Sequence, residues 1–259
     1  MKPRRIIPCL DIHDGRVVKG IRFEDLRDAG DPIAQAQTYE MWGADALCLL
    51  DITATVENRA PFVQLVAQVS QQISIPIVVG GGIRNEEDAR ALLQAGASQV
   101  SLSSSAVDNP KLLEALAKQH GSERIVVAVD AGYDEGGVAR VFTHAGKKAT
   151  ALEVVAWCQE AARLGAGEIL LTSIEKDGTQ TGFDIPLLER VCKATSLPVI
   201  ASGGAGKVEH FVEAFRAGAQ SVLAASLFHF RTLSIDGVKA ACEQAGFLVQ
   251  RKAVFAART

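Results

Sequence analysis

Metal-spaced histidines, CxxC pairs, linkers and long apolar runs are all missing from this 259-residue chain. No uninterrupted apolar stretch approaches the ~18 residues of a membrane-spanning helix. The opening MKPRRIIPCLDIHDG carries basic residues but no apolar stretch of roughly 7–15 residues, so it does not read as a secretory signal. Basic residues are not in excess: 27 Lys and Arg face 30 Asp and Glu, for a net charge of −3. That balance argues against nucleic acid as the main partner. It leaves room for bound phosphate, which needs a few local donors rather than a basic protein. The five cysteines, Cys9, Cys48, Cys158, Cys192 and Cys242, are far apart, which points to a reducing compartment and against a zinc site. The five histidines are scattered, and His144, His210 and His229 have no metal-ligand spacing. The expectation is a cytoplasmic protein with no metal and no cofactor, bound to neither membrane nor nucleic acid.

With 48% hydrophobic residues and no low-complexity segment, residues 1–259 can bury a large core and read as one domain of about the size of an α/β barrel. Short runs rich in Val, Ile and Leu predict strands at Arg5–Asp11, Ala46–Asp51, Ile77–Val79, Val100–Ser103, Ile125–Asp130, Glu168–Thr172, Val199–Ser202 and Ser221–Ala225. Most are apolar throughout, the pattern of strands buried on both faces in a parallel sheet. Between them the spacing predicts helices over Pro32–Trp42, Ala60–Gln72, Glu86–Ala95, Pro110–Gln119, Ala151–Leu164, Pro186–Thr195, Val208–Ala217 and Ile235–Ala245. Six close on a glycine just past the end, Gly43, Gly96, Gly121, Gly165, Gly218 and Gly246, where a left-handed cap costs little. Eight βα units in a chain of this length predict a closed (βα)8 barrel.

The two halves of the chain are alike. Ile75–Gly82 (IPIVVGGG) aligns with Leu197–Gly204 (LPVIASGG); at the same offset of 122, Ala95–Ala97 meets Ala217–Ala219 and Ser104 meets Ser226. Asp11, ending the first strand, is matched by Asp130, ending the fifth. A half-barrel repeat puts such pairs on opposite sides of one mouth; convergence of similar βα units is the alternative source of the match and leaves the fold unchanged.

Catalytic residues of a barrel gather at the C-terminal ends of its strands. Asp11 and Asp130 follow IIPCL and IVVAV, at the edge of the core. Partial desolvation there raises a carboxyl pKa and suits a proton donor, while a solvated partner stays ionised as a base. Taken singly, either Asp could instead cap the next helix or pair with a loop Arg. The glycine turns Gly80–Gly82 and Gly203–Gly204 let backbone N–H groups approach an anion, and a helix N-terminus would add partial positive charge. Ser103, Ser104 and Ser105 after the fourth strand, and Ala225 and Ser226 after the eighth, would complete one cradle each. Two cradles on opposite rims imply a substrate with a phosphate at each end. Lys19 lies in a long segment after the first strand, of the kind that often serves as a lid; a solvated surface lysine is the plainer reading. Asp51, Thr172, Asp177 and Ser202 also end strands or lie just beyond them, and Asp177-Gly178-Thr179 reads as a turn. Cys9 shares a strand face with Asp11, either as a buried structural thiol or as pocket floor.

Several strings are recognisable together. IIPCLDI at 6–12, DGRVVKG at 14–20, LDIT at 50–53, GGGI at 80–83, GAGEILLTS at 165–173, DGT at 177–179, IASGGAG at 200–206 and AASLFH at 224–229 resemble the cyclase subunits of imidazole glycerol phosphate synthase, in histidine biosynthesis. The resemblance runs from about residue 3 to about residue 250. It implies a (βα)8 barrel in which ammonia from a glutaminase partner, docked at the N-terminal barrel face as a heterodimer, converts a bis-phosphorylated phosphoribulosyl-formimino-aminoimidazole carboxamide nucleotide into imidazole glycerol phosphate and the aminoimidazole carboxamide ribonucleotide. By motif it implies Asp11 and Asp130 as the acid–base pair and Lys19 as the lid lysine. Cys9, Asp51, Thr172, Asp177, Gly178 and Ser202 then fall at pocket positions. Gly82, Ser103 and Ser104 form one phosphate end, and Gly203, Gly204, Ala225 and Ser226 the other. It also implies a charged ring that gates ammonia. Arg5 and Glu168 fit that ring, whereas Ala46 and Gln99 do not, and Ser98 replaces an acidic residue facing the partner. The alternatives are the sister isomerase barrel of the preceding step, which differs at Cys9, Lys19 and Phe228–Phe230, and a non-catalytic or engineered scaffold.

Overall fold

Eight strands close on themselves in the structure, a computed structural model that describes residues 2–21, 24–54, 57 and 62–251, with side chains outside 19–27. In chain order the strands are β1 (Arg5–His13), β2 (Arg16–Ile21), β3 (Glu24–Gly30), β4 (Leu47–Asp51), β5 (Ile77–Gly80), β6 (Gln99–Leu102), β7 (Ile125–Tyr133), β8 (Ala139–Thr143), β9 (Lys148–Glu153), β10 (Glu168–Ser173), β11 (Val199–Ser202) and β12 (Ser221–Ala224). The helices are α1 (Pro32–Met41), α2 (Val63–Ser70), α3 (Glu86–Gln94), α4 (Ser104–Asp108), α5 (Pro110–His120), α6 (Val154–Arg163), α7 (Ile185–Ala194), α8 (Val208–Arg216), α9 (Ser226–His229) and α10 (Ile235–Gln244). β1, β4, β5, β6, β7, β10, β11 and β12 pair in parallel in that order, and β12 pairs back to β1. Traced from partner to partner, the ladder that leaves β1 at Asp11 passes Leu50, Gly80, Ser101, Val126 and Glu168; carried on at the same registers it meets the chain at Pro3, just before β1 and eight residues before Asp11. That shift is the shear of a (βα)8 barrel, as the alternation of elements predicts.

Two apolar layers hold the ring. The larger lies between strands and helices and includes Leu10, Leu49, Leu102, Phe211 and Phe215. The smaller fills the barrel axis with Ile7, Cys9, Ala46, Cys48, Val78, Val126, Leu170, Ile200 and Leu223. Since strand side chains alternate between faces, this explains why the strands read as unbroken apolar runs. Helix starts follow local chemistry. Asp31 caps α1 by accepting from the Ala34 amide at 2.9 Å, with Pro32 in the first turn, and Ser234 caps α10 through the Gly237 amide at 3.0 Å. The six glycines that end helices all have positive φ.

The structure departs from the sequence reading at the two long connections. The segment after β1 is a hairpin, β2–β3, antiparallel to the end of β1. Ala151–Glu153, expected to start a helix, instead end β9, which with β8 forms a matching hairpin on β7. The helix begins at Val154, three residues later than expected, because the Glu153 side chain caps it, accepting from the Ala156 amide at 2.8 Å. The start expected for the second helix, at Ala60, lies outside the described residues. The short helices α4 and α9 are additional.

A buried ion pair fastens the end of the chain to its beginning. Lys239 on α10 donates to Asp45 Oδ1 at 2.6 Å and to the carbonyls of Gly43 and Gln250 at 2.7 Å each, while Asp45 Oδ2 accepts the Ile6 amide at 2.7 Å. Burial holds the Asp45 carboxyl above the ordinary aspartate range despite these donors. Removing one member strands the other's charge in the core. Lys239→Met is therefore expected to lower the unfolding free energy by roughly 3–5 kcal/mol in denaturant titration; a loss below about 1 kcal/mol would mean that water screens the pair.

Candidate active site

The C-terminal ends of the eight strands enclose one cavity of about 380 Å³, within the size range of small-molecule sites. Its floor is the apolar axial layer. β1 contributes Cys9 and then Asp11, and β7 contributes Ala128 and then Asp130, each pair two residues apart and so on one face of its strand. β1 and β7 are four places apart in the ring of eight, so the two carboxylates lie across the mouth from each other. The same fourfold step separates β5 from β11 and β6 from β12. The turn Gly80–Gly82 with Ser103 and Ser104 therefore faces the turn Gly203–Gly204 with Ala225 and Ser226 from the opposite rim.

The glycines are required sterically. Gly81, at φ +99°, presses against the backbone carbonyl of Asp51, and Gly204, at φ +104°, against that of Gly182; a Cβ at either would collide with that oxygen. Gly204 also accepts the Gly182 amide through its own carbonyl at 2.8 Å. A side chain at either position would displace a rim. On the first rim the helix that follows the glycine turn, α3, is already capped. The α3 terminus is capped by Asn85, which accepts the Asp88 amide at 2.9 Å, and Glu86, Glu87 and Asp88 fill its first turn. Its partial positive charge is already matched by its own acids.

The two carboxylates sit in different surroundings. Asp11 is 7% exposed, and the Cys9 thiol donates to its Oδ1 at 3.5 Å. Asp130 lies beside Thr172 on β10 and Phe142 on β8. Desolvation first, and the nearby negative charge of Asp177 second, push its pKa from 3.8 up to about 6. Asp51, 4% exposed, is held by its own turn: Oδ1 accepts the amides of Ala54 at 2.9 Å and Thr53 at 3.3 Å. Asp177-Gly178-Thr179 is a turn, with the Thr179 amide bonded to the Lys176 carbonyl at 3.1 Å. At the opposite end of the axis Arg5 pairs with Glu168, Arg5 Nε donates to Ser221 Oγ at 2.8 Å, and Gln99 Nε2 donates to Glu168 Oε2 at 3.3 Å. Ala46, in the axial layer, adds no charge there.

The cavity brings together Cys9, Asp11, Asp51, Gly82, Ser103, Ser104, Asp130, Thr172, Asp177, Gly178, Ser202, Gly203, Gly204, Ala225 and Ser226. Lys19 falls on β2, and its side chain lies outside the described residues. Arg5 and Glu168 are at the far end of the barrel, away from the cavity. Sequence reasoning missed Arg84, Ser101, His144, Ala145 and Gln180, which also line it. Ser101 was legible, since Gln99, Ser101 and Ser103 alternate onto one face of β6; its buried hydroxyl has no hydrogen-bond partner among the described residues. His144 and Ala145 carried no signal, because residues 131–150 show neither a strand-like apolar run nor a helical spacing. Among the described residues no cluster of His, Cys, Asp and Glu could hold a metal ion, and no helix is long and apolar enough to cross a membrane.

Comparison with known proteins agrees with this geometry. The profile of the family described as histidine biosynthesis protein matches residues 5–234. An imidazole glycerol phosphate synthase subunit HisF from Geobacillus kaustophilus is 55% identical over 252 residues, covering 96% of this chain and 100% of that protein. HisF subunits from Pyrobaculum aerophilum and Corynebacterium glutamicum are 52% and 50% identical, each covering 95% of this chain and 98% of their own length. With barrel, cavity and near-complete coverage in agreement, the chain belongs to the histidine biosynthesis protein family and, within it, to the HisF subunits of imidazole glycerol phosphate synthase.

Proposed function

We propose that the cavity closes the imidazole ring of imidazole glycerol phosphate, with Asp11 and Asp130 moving the protons. The observation that carries this reading is the crossed arrangement of the mouth, in which two carboxylates face each other along one diameter and two anion cradles along another. A substrate with a phosphate at each end would stretch between the cradles and present its middle to the carboxylates. Ammonia adds to the keto carbon of the bis-phosphorylated nucleotide, water leaves, and the ring closes as a C–N bond breaks to release the aminoimidazole carboxamide ribonucleotide. Each step transfers a proton, and anchoring both phosphates supplies positioning energy far from the reacting carbon. The raised pKa of Asp130 suits the acid, leaving Asp11 as the base. Thr172 and Asp177 flank Asp130, Cys9 supports Asp11, and Lys19, on β2, is the cation this reading assigns to a substrate anion.

The partner in this reading is a glutaminase at the N-terminal face, delivering ammonia along the axis. Exposed Met41 at the end of α1 and Leu248, whose carbonyl accepts the Arg4 amide at 2.7 Å, place apolar surface on that face. The Arg5–Glu168 pair with Gln99 crosses the axis there, but Ala46 and Gln99 leave it with fewer charges than the family ring. The protein is expected to run on free ammonia and to couple loosely to glutamine hydrolysis. A stoichiometric complex in which the nucleotide fully stimulates the glutaminase would overturn the loose coupling.

Asp11→Asn and Asp130→Asn should each cut ammonia-dependent turnover by roughly 10² or more. Near-normal turnover in either variant, or conversion of the isomerase substrate by the parent, would refute the assignment. Asp130 yields a pH prediction as well. Its folded pKa, about 6, exceeds its ordinary 3.8, so the folded state holds the proton more tightly. Its contribution to stability is complete below about pH 4 and is lost as pH rises through about 6. Asp130→Asn should therefore melt above the parent at pH 7–8 and level with it near pH 4; the reverse order would show that Asp130 is a structural carboxylate.

A further inference from the structure

The β8–β9 hairpin ends in a turn that leans over the first anion cradle. His144 and Ala145 line the cavity beside Ser103 and Ser104, yet both have left-handed backbones, at φ +54° and +56°. That conformation is uncommon for a residue with a Cβ and persists where the surroundings enforce it. One enforcing contact is visible: the His144 amide donates to Ser104 Oγ at 2.8 Å. A serine hydroxyl has one proton and two acceptor positions. The His144 amide occupies an acceptor position, and Ser104 is 8% exposed. No group among the described residues takes its proton.

We propose that the hairpin tip is a positioning device for the first rim: the His144 amide fixes the Ser104 hydroxyl so that its single proton is offered to the substrate phosphate. This inference rests on the reading of that rim as a phosphate site. His144 then acts through Ser104, and the turn pays in backbone strain for a donor aimed before substrate arrives.

The test is a double-mutant cycle. In one variant residues 144–147 are replaced by Asn-Gly, a two-residue turn that keeps β8 paired with β9; the second is Ser104→Ala; the third combines them. Inorganic phosphate is titrated and followed by the amide NMR shifts of Gly82 on the first rim and Gly204 on the second, alongside KM for the nucleotide. Each single change should weaken phosphate at the first rim about tenfold and raise KM more than it lowers kcat. The combination should be no worse than either alone, because both remove one interaction. The second rim should be unaffected. Additive losses, equal weakening at both rims, an unweakened tip variant, or a parent that takes no phosphate at the first rim would overturn the proposal. Phosphate at both rims without nucleotide turnover would sink the cyclase reading and leave the positioning result standing. If the shortened turn does not fold, a backbone ester in place of the amide at residue 144 makes the same deletion at one atom.

Discussion

The pairing of β12 with β1 is the constraint on which the site depends. In an open sheet, β1 and β7 would be separated by four strand spacings, about 19 Å, with Asp11 and Asp130 in a row along an edge. Closing the ladder with a shift of eight residues turns that row into a ring, and places strands four apart on opposite walls. The same closure removes the sheet edges and directs every second side chain of each strand into the axis. The cavity is the place where the axial apolar layer stops and polar side chains begin.

That boundary also separates the behaviour of the two carboxylates. Both emerge just above the apolar floor, so neither is fully hydrated, but their neighbours differ. A thiol donates to Asp11, whereas Asp177 adds like charge near Asp130. Two groups of one chemical type thereby sit in different electrostatic surroundings. Elsewhere in the core, Lys239 and Asp45 join the last helix to the first strand.

Conformational strain is concentrated around the anion turns. Gly81 and Gly204 touch carbonyl oxygens of neighbouring turns, and the β8–β9 tip holds two left-handed residues that bear side chains. At Gly81 and Gly204 the close carbonyl leaves no room for a side chain. The far end of the barrel is built differently: Arg5, Glu168 and Gln99 satisfy one another across the axis, with Ala46 leaving one side uncharged.

The eight barrel strands were legible because burial on both faces demands unbroken apolar runs, and Arg5–Asp11 or Ile125–Asp130 have no other economical reading. The glycine turns and the strand-end acids were legible because the half-chain repeat shows them twice. The hairpins were not. Lys148–Glu153 pairs with β8 at the outer end of the sheet and is exposed or half-buried throughout, so its residues carry neither a clean alternation nor an apolar run. The α3 terminus misled for a local reason, since Asn85 accepts the Asp88 amide, Asp88 accepts the Arg84 amide, and three acids fill the first turn. By itself, then, the sequence determined the element order, the parallel barrel and the residue types at each strand end, because periodicity and burial are properties of short segments. Only the tertiary structure decided which strand ends face one another, how far Asp130 is desolvated and that His144 meets Ser104, because those depend on ring closure between residues far apart in the chain.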